Sequence, residues 1–99
     1  MDLDQAIQRR LMEFMSKREP PKTFCPSEVA RSLTHSELSS GGLNDWREAM
    51  DRVRAVAQDR RSDDVLEVLQ KGEVIDSSIH INDIKGPIRL RRRPGVNDI

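Results

Sequence analysis

The residues whose types and spacing most directly suggest chemistry are the basic residues near the end of the chain. Residues 85–99 contain one lysine and four arginines against one aspartate, a net charge of +4, so residues 1–84 carry −4 in a chain of zero formal charge. Arg89 and Arg91 alternate with apolar residues and would share one face of a strand. Such a row of cations can neutralise phosphates or enter a minor groove. The candidate nucleic-acid-binding residues of this segment are Lys85, Arg89, Arg91, Arg92 and Arg93.

A structural interpretation of the same residues is also open. Charged side chains keep an edge strand from pairing with other chains, and they can pair with acids such as Glu67 across a hairpin. Runs of charge are usually solvated surface. The sequence alone therefore leaves both the phosphate-binding interpretation and this alternative standing.

A polar stripe at helical spacing forms a second set of candidates: Arg47, Asp51, Arg54, Gln58 and Arg61. Arginine and glutamine can read base edges from a helix in the major groove, so Arg47, Arg54 and Arg61 are candidate nucleic-acid contacts. Asp45 and Glu48, at the start of the same helix, carry carboxylates that repel phosphate. The alternative is an ordinary helix surface with salt bridges between its own side chains.

No arrangement of residues predicts catalysis or metal binding. Cys25, the single cysteine, stands at a predicted helix start, where the pKa of a thiol can fall. His35 and His80 fall in separate predicted loops, and nothing marks either as a base for the thiol. One cysteine and two histidines also fall short of a usual structural zinc site. We therefore expect no enzymatic activity, no metal and no cofactor.

Three helices are predicted to position these residues. The first, from Leu3 to about Met15, has apolar residues at helical spacing and ends before the prolines at 20–21. The second begins at Pro26 and spans about two turns. Residues 34–44 are rich in serine, glycine and asparagine and predict an irregular connection.

The third predicted helix is the longest. Asn44 or Asp45 caps its start, Asp45 has the spacing of a capping box with Glu48, and the helix ends near Arg61. Its predicted buried stripe consists of Trp46, Met50, Val53 and Ala57. Its opposite face carries the polar stripe described above.

Two strands are predicted after the helices, over residues 65–69 and 88–91. The apolar loop 71–86 between them is expected to pair in part with the sheet. Three helices followed by an antiparallel β hairpin form an α+β fold, in the order of a winged helix-turn-helix. The alternative is a helical bundle with a stray hairpin, but an isolated two-stranded ribbon is marginal in water. We expect one winged-helix domain over 1–93 and a C-terminal tail over 94–99.

Five short motifs support this fold through a resemblance: CPSEVAR at 25–31, DW at 45–46, VR at 53–54, QKG at 70–72 and GPIRLR at 86–91. In this order they resemble a family of short bacterial proteins known only as a domain of unknown function. The resemblance implies a winged-helix fold and brings no reaction, ligand or catalytic residue. Two departures lie in loops, an apparent insertion at 39–42 and a Ser-Asp-Asp turn at 62–64 where a glycine is expected.

Composition limits the possible functions. Ninety-nine residues suffice for one small domain, and a pI of about 6.7 is well below that of a dedicated nucleic-acid binder. The acidic first residues and the lack of a long apolar run predict neither a signal peptide nor a membrane span. The single cysteine suits a reducing cytoplasm. We expect weak nucleic-acid binding through the wing and the C-terminal arginines, and the alternative is a protein-interaction or dimerisation module.

Overall fold

A computed structural model describes residues 2–96 of the chain. Helix α1 (Leu3–Lys17) begins after Asp2, whose carboxylate accepts a hydrogen bond from the Asp4 amide at 3.0 Å. Its buried residues share one face, as the spacing predicts: Leu3, Ala6, Ile7, Leu11 and Met15. Asp98, counted in the charge of the C-terminal segment, lies outside the described residues.

Helix α2 (Pro26–Arg31) begins where the sequence predicts. Proline suits the first helical position because the amide there needs no partner. The Glu28 carboxylate accepts hydrogen bonds from the Cys25 amide at 2.7 Å and from the Arg18 guanidinium at 3.0 Å. Burial tends to raise the pKa of Glu28, but these two donors outweigh burial and lower it. Glu28 therefore remains a carboxylate that fixes the start of α2.

Helix α3 (His35–Ser40) occupies most of the segment predicted as an irregular connection, so that prediction was wrong. Thr34 Oγ1 accepts a hydrogen bond from the Glu37 amide at 3.1 Å, and the Glu37 carboxylate accepts one from the Thr34 amide at 2.8 Å. The same carboxylate binds Arg10 of α1 at 2.9 and 3.0 Å. A threonine and a glutamate within this polar segment therefore cap a short helix.

The third predicted helix begins as a 3-10 helix (Trp46–Ala49) and continues as α4 (Met50–Ser62). The predicted capping box of Asp45 and Glu48 is confirmed. The fully buried residues of this segment include Ala49, Val53, Val56 and Ala57. Trp46 and Met50, predicted in the buried stripe, are only half-buried and pack against the core from its edge.

Three strands form one antiparallel sheet in the order β2-β1-β3: β1 (Leu66–Gln70), β2 (Glu73–Val74) and β3 (Arg89–Arg92). The prediction of a two-stranded hairpin was therefore wrong, although part of the loop 71–86 does pair with the sheet as expected. On the other side of β3, Phe24 and Leu90 form an isolated bridge. The amide of each donates to the carbonyl of the other, at 2.9 and 2.7 Å.

One face of the sheet completes the core of this α+β fold. Val68 and Leu90, which face each other in β1 and β3, join apolar side chains of α1, α2 and α4 in one buried cluster. Phe24 packs in the same cluster, with its ring centroid 5.4 Å from that of Phe14. None of the helices within residues 2–96 has the length and apolar character needed to cross a membrane.

Candidate nucleic-acid interface

Arg61 is buried, with 3% of its surface exposed, so its predicted place on an outward stripe was wrong. Its guanidinium donates to the carbonyl oxygens of Ile75 (3.1 Å), Asp76 (2.8 Å) and Ile79 (2.5 Å). Burial lowers the pKa of Arg61, and the Asp76 carboxylate partly opposes this effect. The connection from β2 to β3 therefore folds over the end of α4 and removes Arg61 from any nucleic-acid surface.

Gln58, one turn earlier on α4, is held by the same connection. Its Oε1 accepts hydrogen bonds from the Ile81 amide at 3.0 Å and from Nη1 of Arg61 at 3.3 Å. The C-terminal half of the predicted stripe is thus covered by the chain itself. Of the three arginines in that stripe, Arg47 and Arg54 are not held by this connection.

Two of the C-terminal arginines are paired with acids. Arg91 donates from Nε (3.0 Å) and Nη2 (2.7 Å) to Oε1 of Glu67, which faces it across β1 and β3. Arg93 lies 3.4 Å from the exposed carboxylate of Asp64. The pairing of Arg91 with Glu67 confirms the structural alternative for that residue. Arg92 is half-buried, and its Nε is buried with no hydrogen-bond partner within residues 2–96.

Arg89 is exposed and points toward the start of α2. It donates from Nε to Thr23 Oγ1 at 2.9 Å, from Nη2 to the Thr23 carbonyl at 3.2 Å, and from Nη1 to Cys25 Sγ at 2.8 Å. These acceptors are uncharged oxygens and a thiol sulfur. Among the described residues Arg89 forms no ion pair within 4 Å, although its charge adds to the Cys25 amide and Arg18 in lowering the pKa of Glu28 against the effect of burial.

A shallow groove of about 200 Å³ joins three elements beside Arg89. Cys25 and Ser27 line it from the start of α2, Met50 and Arg54 line it from α4, and Pro87 lines it from the segment before β3. Arg54 and Arg89 are thus brought close to the same helix start, although 34 residues separate them in the sequence.

Arg93, whose exposed pair with Asp64 is no closer than that of Arg47 with Asp45, lines a cavity away from this groove. We give the name basic surface to four of the eight predicted residues: Arg47, Arg54, Lys85 and Arg89. Lys85 is exposed, and its carbonyl accepts a hydrogen bond from the Gln70 side chain at 2.5 Å, which fixes the chain just before Pro87. Within residues 2–96, Arg54, Lys85 and Arg89 form no ion pair. Arg47 forms one, with Asp45 at 3.4 Å.

Arg31 and Trp46 contact each other next to Arg47 of the basic surface, and the sequence does not predict this contact. The guanidinium carbon of Arg31 lies 4.8 Å from the centroid of the Trp46 ring, and that of Arg47 lies 4.6 Å from it. The spacing of Trp46 predicts a core residue, and the sequence pattern predicts no role for Arg31. The contact depends on the packing of α2 against the 3-10 helix, for which local spacing offers no signal.

A larger cavity of about 430 Å³ lies at the other end of β1. Its charged lining residues have both signs: Arg61, Asp64, Glu67, Asp76 and Arg93. The arginines there already bind carbonyls or a carboxylate of the chain. This cavity therefore lacks the unpaired positive charge that distinguishes the basic surface.

The residues considered for catalysis or metal binding are dispersed or take part in local structure. Cys25 precedes α2 and accepts from Arg89, His35 begins α3, and His80 Nδ1 accepts from the Asn82 amide at 3.1 Å. In the part of the chain that the structure describes, no three side chains of His, Cys, Asp or Glu are grouped to hold a metal ion.

Comparison with known proteins places the chain in a family without adding an activity. No curated protein matches the sequence. A family model described as "Protein of unknown function (DUF3253)" matches residues 4–93, which include all three strands and all five quoted motifs. The chain therefore belongs to the DUF3253 family, a protein family of unknown function.

Proposed function

We propose that this chain is a non-enzymatic winged-helix module that binds nucleic acid through phosphate contacts made by the basic surface. Phosphate contacts supply affinity and orientation without reading sequence. The observation that carries the proposal is that Arg54 and Arg89, neither of which forms an ion pair within residues 2–96, both lie beside the start of α2, with Lys85 two residues before Pro87 of the same groove.

The order of elements supports the winged-helix assignment. Phe24, between α1 and α2, bridges to β3, while β1 and β2 form a hairpin that leads through a long connection back to β3. On this assignment α4 is the recognition helix, α3 is an insertion before it, and the hairpin with its connection is the wing. The basic surface then lies where such a module meets a duplex.

The acidic residues at the start of the recognition helix favour backbone contacts over base reading. The Glu48 carboxylate accepts from the amides of Asn44 (3.0 Å) and Asp45 (2.9 Å), and Asp45 accepts from the Arg47 amide (2.8 Å). These carboxylates cap the helix and remain negative near its first turn. Together with the covered C-terminal half of the stripe, they leave few side chains to contact bases.

Salt titration of duplex binding tests the proposal. A fluorescein-labelled DNA duplex of mixed sequence is titrated with the protein at several salt concentrations. We expect affinity to fall with salt, with a log–log slope of about −0.9 per neutralised phosphate. The double variant Arg54→Gln, Lys85→Gln should reduce the magnitude of that slope by about 0.9 for each phosphate that is no longer neutralised.

The matched control is Arg9→Gln, Lys17→Gln, which removes two exposed charges from α1, a helix outside the basic surface. We expect the control to keep the wild-type slope. Equal reductions in both double variants would show attraction to net charge only and would contradict the basic surface. Absence of wild-type binding at low salt would contradict nucleic-acid binding altogether.

The alternative, a dimerisation module without nucleic-acid binding, has one observation in its favour. Val74 and Ile79, on β2 and its connection, are large apolar residues that are 50% and 44% exposed. An exposed edge strand can pair with a second copy of the chain. Sedimentation equilibrium would then show a dimer that Val74→Lys converts to monomer, whereas a monomer at all concentrations contradicts this alternative.

A further inference from the structure

Two arginines share one tryptophan beside the groove. The guanidinium carbons of Arg31 and Arg47 lie 4.8 and 4.6 Å from the centroid of the Trp46 ring, inside the ~6 Å range of cation–π attraction. The two carbons are therefore no more than about 9.4 Å apart, the sum of those distances. Neighbouring phosphates of a nucleic-acid strand can be contacted by cations this close together.

The protein compensates the charges of this cluster only in part, through the carboxylates of Asp45 and Glu48 that cap the start of the 3-10 helix. Arg31 forms no ion pair within residues 2–96. Arg47 lies 3.4 Å from Asp45, but the two side chains are 71% and 47% exposed, so water screens the attraction. Two like charges held near one ring repel each other, and an anion bound between them would relieve that repulsion.

Stacking on the ring also prepares the arginines for binding. A guanidinium held against an aromatic face has fewer conformations to lose when it binds an oxyanion. Trp46 also packs against the hydrophobic core, and this packing limits the movement of its ring. The cluster thus presents its two cations in a partly fixed arrangement before any ligand arrives.

The cluster is continuous with the basic surface. Arg47 belongs to both, and Met50, one turn after Trp46, lines the groove together with Arg54. Along this segment the helical rise from Arg47 to Arg54 is roughly 10 Å. Arg47 and Arg54 therefore share one face of the proposed recognition helix, with the exposed Asp51 between them, and Arg31 of α2 meets Arg47 at the Trp46 ring.

We propose that Arg31, Trp46 and Arg47 form a phosphate clamp that binds the sugar-phosphate backbone, with Trp46 as a positioning residue. This inference rests on the proposed function and deepens it. A base that stacked on Trp46 would compete with the two guanidiniums for the ring, so on this proposal the clamp binds phosphates and not unpaired bases. Binding is consequently insensitive to whether bases are present.

Substitutions separate the clamp from the rest of the surface. In the duplex titration, Arg31→Gln should reduce the magnitude of the salt slope by about 0.9, whereas Arg9→Gln should leave it unchanged. Trp46→Leu should also reduce the magnitude of the salt slope, although it removes no charge. Trp46→Phe should restore part of the slope, because phenylalanine also attracts cations. Circular dichroism checks the fold of each variant, and Arg31→Gln decides the test if Trp46→Leu does not fold.

Binding to abasic strands tests the choice of phosphate over base. Trp46 is the single tryptophan, so intrinsic fluorescence reports on it directly. Oligothymidylate and an abasic deoxyribose-phosphate strand of equal length should change that fluorescence equally and give the same salt slope. A change with oligothymidylate alone would show base stacking and overturn the clamp.

The outcomes distinguish this inference from the function on which it rests. Wild-type duplex binding with an unchanged slope in Arg31→Gln overturns the clamp and leaves the basic surface standing. Wild-type binding with a reduced slope in Arg31→Gln and Trp46→Leu supports both. No wild-type binding at low salt overturns both.

Discussion

Arg61 stabilises the fold, although its place in the polar stripe of the third helix predicted a nucleic-acid contact. Burying a charge costs free energy unless hydrogen bonds satisfy it. Arg61 has five N–H donors in a rigid fork, and three backbone carbonyls of one connection accept from it. A lysine has no such fork and could not bind all three carbonyls at these positions.

Removal of this side chain should destabilise the protein strongly. Arg61→Ala leaves the carbonyls of Ile75, Asp76 and Ile79 without their donor and loosens the connection from β2 to β3. We expect the free energy of unfolding in urea to fall by about 3 kcal/mol. Arg52→Ala, which breaks only an exposed ion pair with Asp4 at 3.6 Å, should cost under about 1 kcal/mol. Equal small decreases would contradict a structural role for Arg61.

Asp64 explains why the family resemblance leads one to expect a glycine after the third helix. Its φ is +62°, in the left-handed region that glycine adopts without a Cβ penalty. Its amide donates to the Arg61 carbonyl at 3.0 Å, which closes the end of α4. The Ser-Asp-Asp turn therefore has the left-handed backbone conformation of a glycine turn, and Asp64 is strained in that conformation.

Replacing this residue with glycine should stabilise the protein. Asp64→Gly removes the strain and should raise the free energy of unfolding by about 1 kcal/mol, since the exposed pair with Arg93 contributes little. Thermal unfolding should show a rise in Tm. Asp63→Gly, at a φ of −82°, serves as the control and should not stabilise. A Tm that falls in Asp64→Gly would show that the pair with Arg93 outweighs the strain.

Helix α3 is the element that the sequence pattern does not predict. The buried carboxylate of Glu37 holds it against α1. Glu37 caps α3 and binds Arg10 of α1, which also donates to the Ser32 carbonyl. Gly41, at the end of α3, could not be alanine without movement, because a Cβ there would lie 2.4 Å from Leu3 Cδ2. Gly41, in the segment predicted as an irregular connection, is thus packed against α1.

The buried carboxylate of Glu37 should make the stability of the protein depend on pH. The hydrogen bond from the Thr34 amide and the charge of Arg10 lower the pKa of Glu37, although burial tends to raise it. Because the folded pKa lies below the unfolded one, this stabilisation is complete above the unfolded value of ~4.3 and disappears as pH falls through the folded pKa. Urea unfolding should show Glu37→Gln less stable than wild type at pH 7, with the difference shrinking below about pH 4. A difference that is constant with pH would contradict this account.

The sheet shows which elements sequence patterns can predict. Lys71 and Gly72 have φ values of +53° and +82°, as the two central residues of a tight hairpin turn require. The Lys-Gly pair was correctly predicted to end a strand. The strand that follows it has two residues, below the usual range of about 3–10, so no alternation could reveal it. Its pairing comes from the turn, which returns the chain beside β1.

At the scale of the molecule, the charge separation along the sequence is partly cancelled by folding. The C-terminal segment is strongly basic, but Arg91 and Arg93 bind acids of the preceding segment. The cations of the proposed basic surface and clamp come from α2, the 3-10 helix, α4, β3 and the segment before β3, and no single segment contains them. A basic surface built in this way cannot be recognised by counting charges along the chain.

The sequence by itself determined the three predicted helices, the starts of the second and third, the two longer strands and the family, because these depend on local spacing and short motifs. The tertiary structure alone decided which arginines are available to an anion. Register placed Glu67 opposite Arg91, the returning connection buried Arg61, and helix packing brought Arg31 onto Trp46. Each of these contacts joins residues distant in the chain, and the energy of a charge depends on such neighbours and not on its position in the sequence.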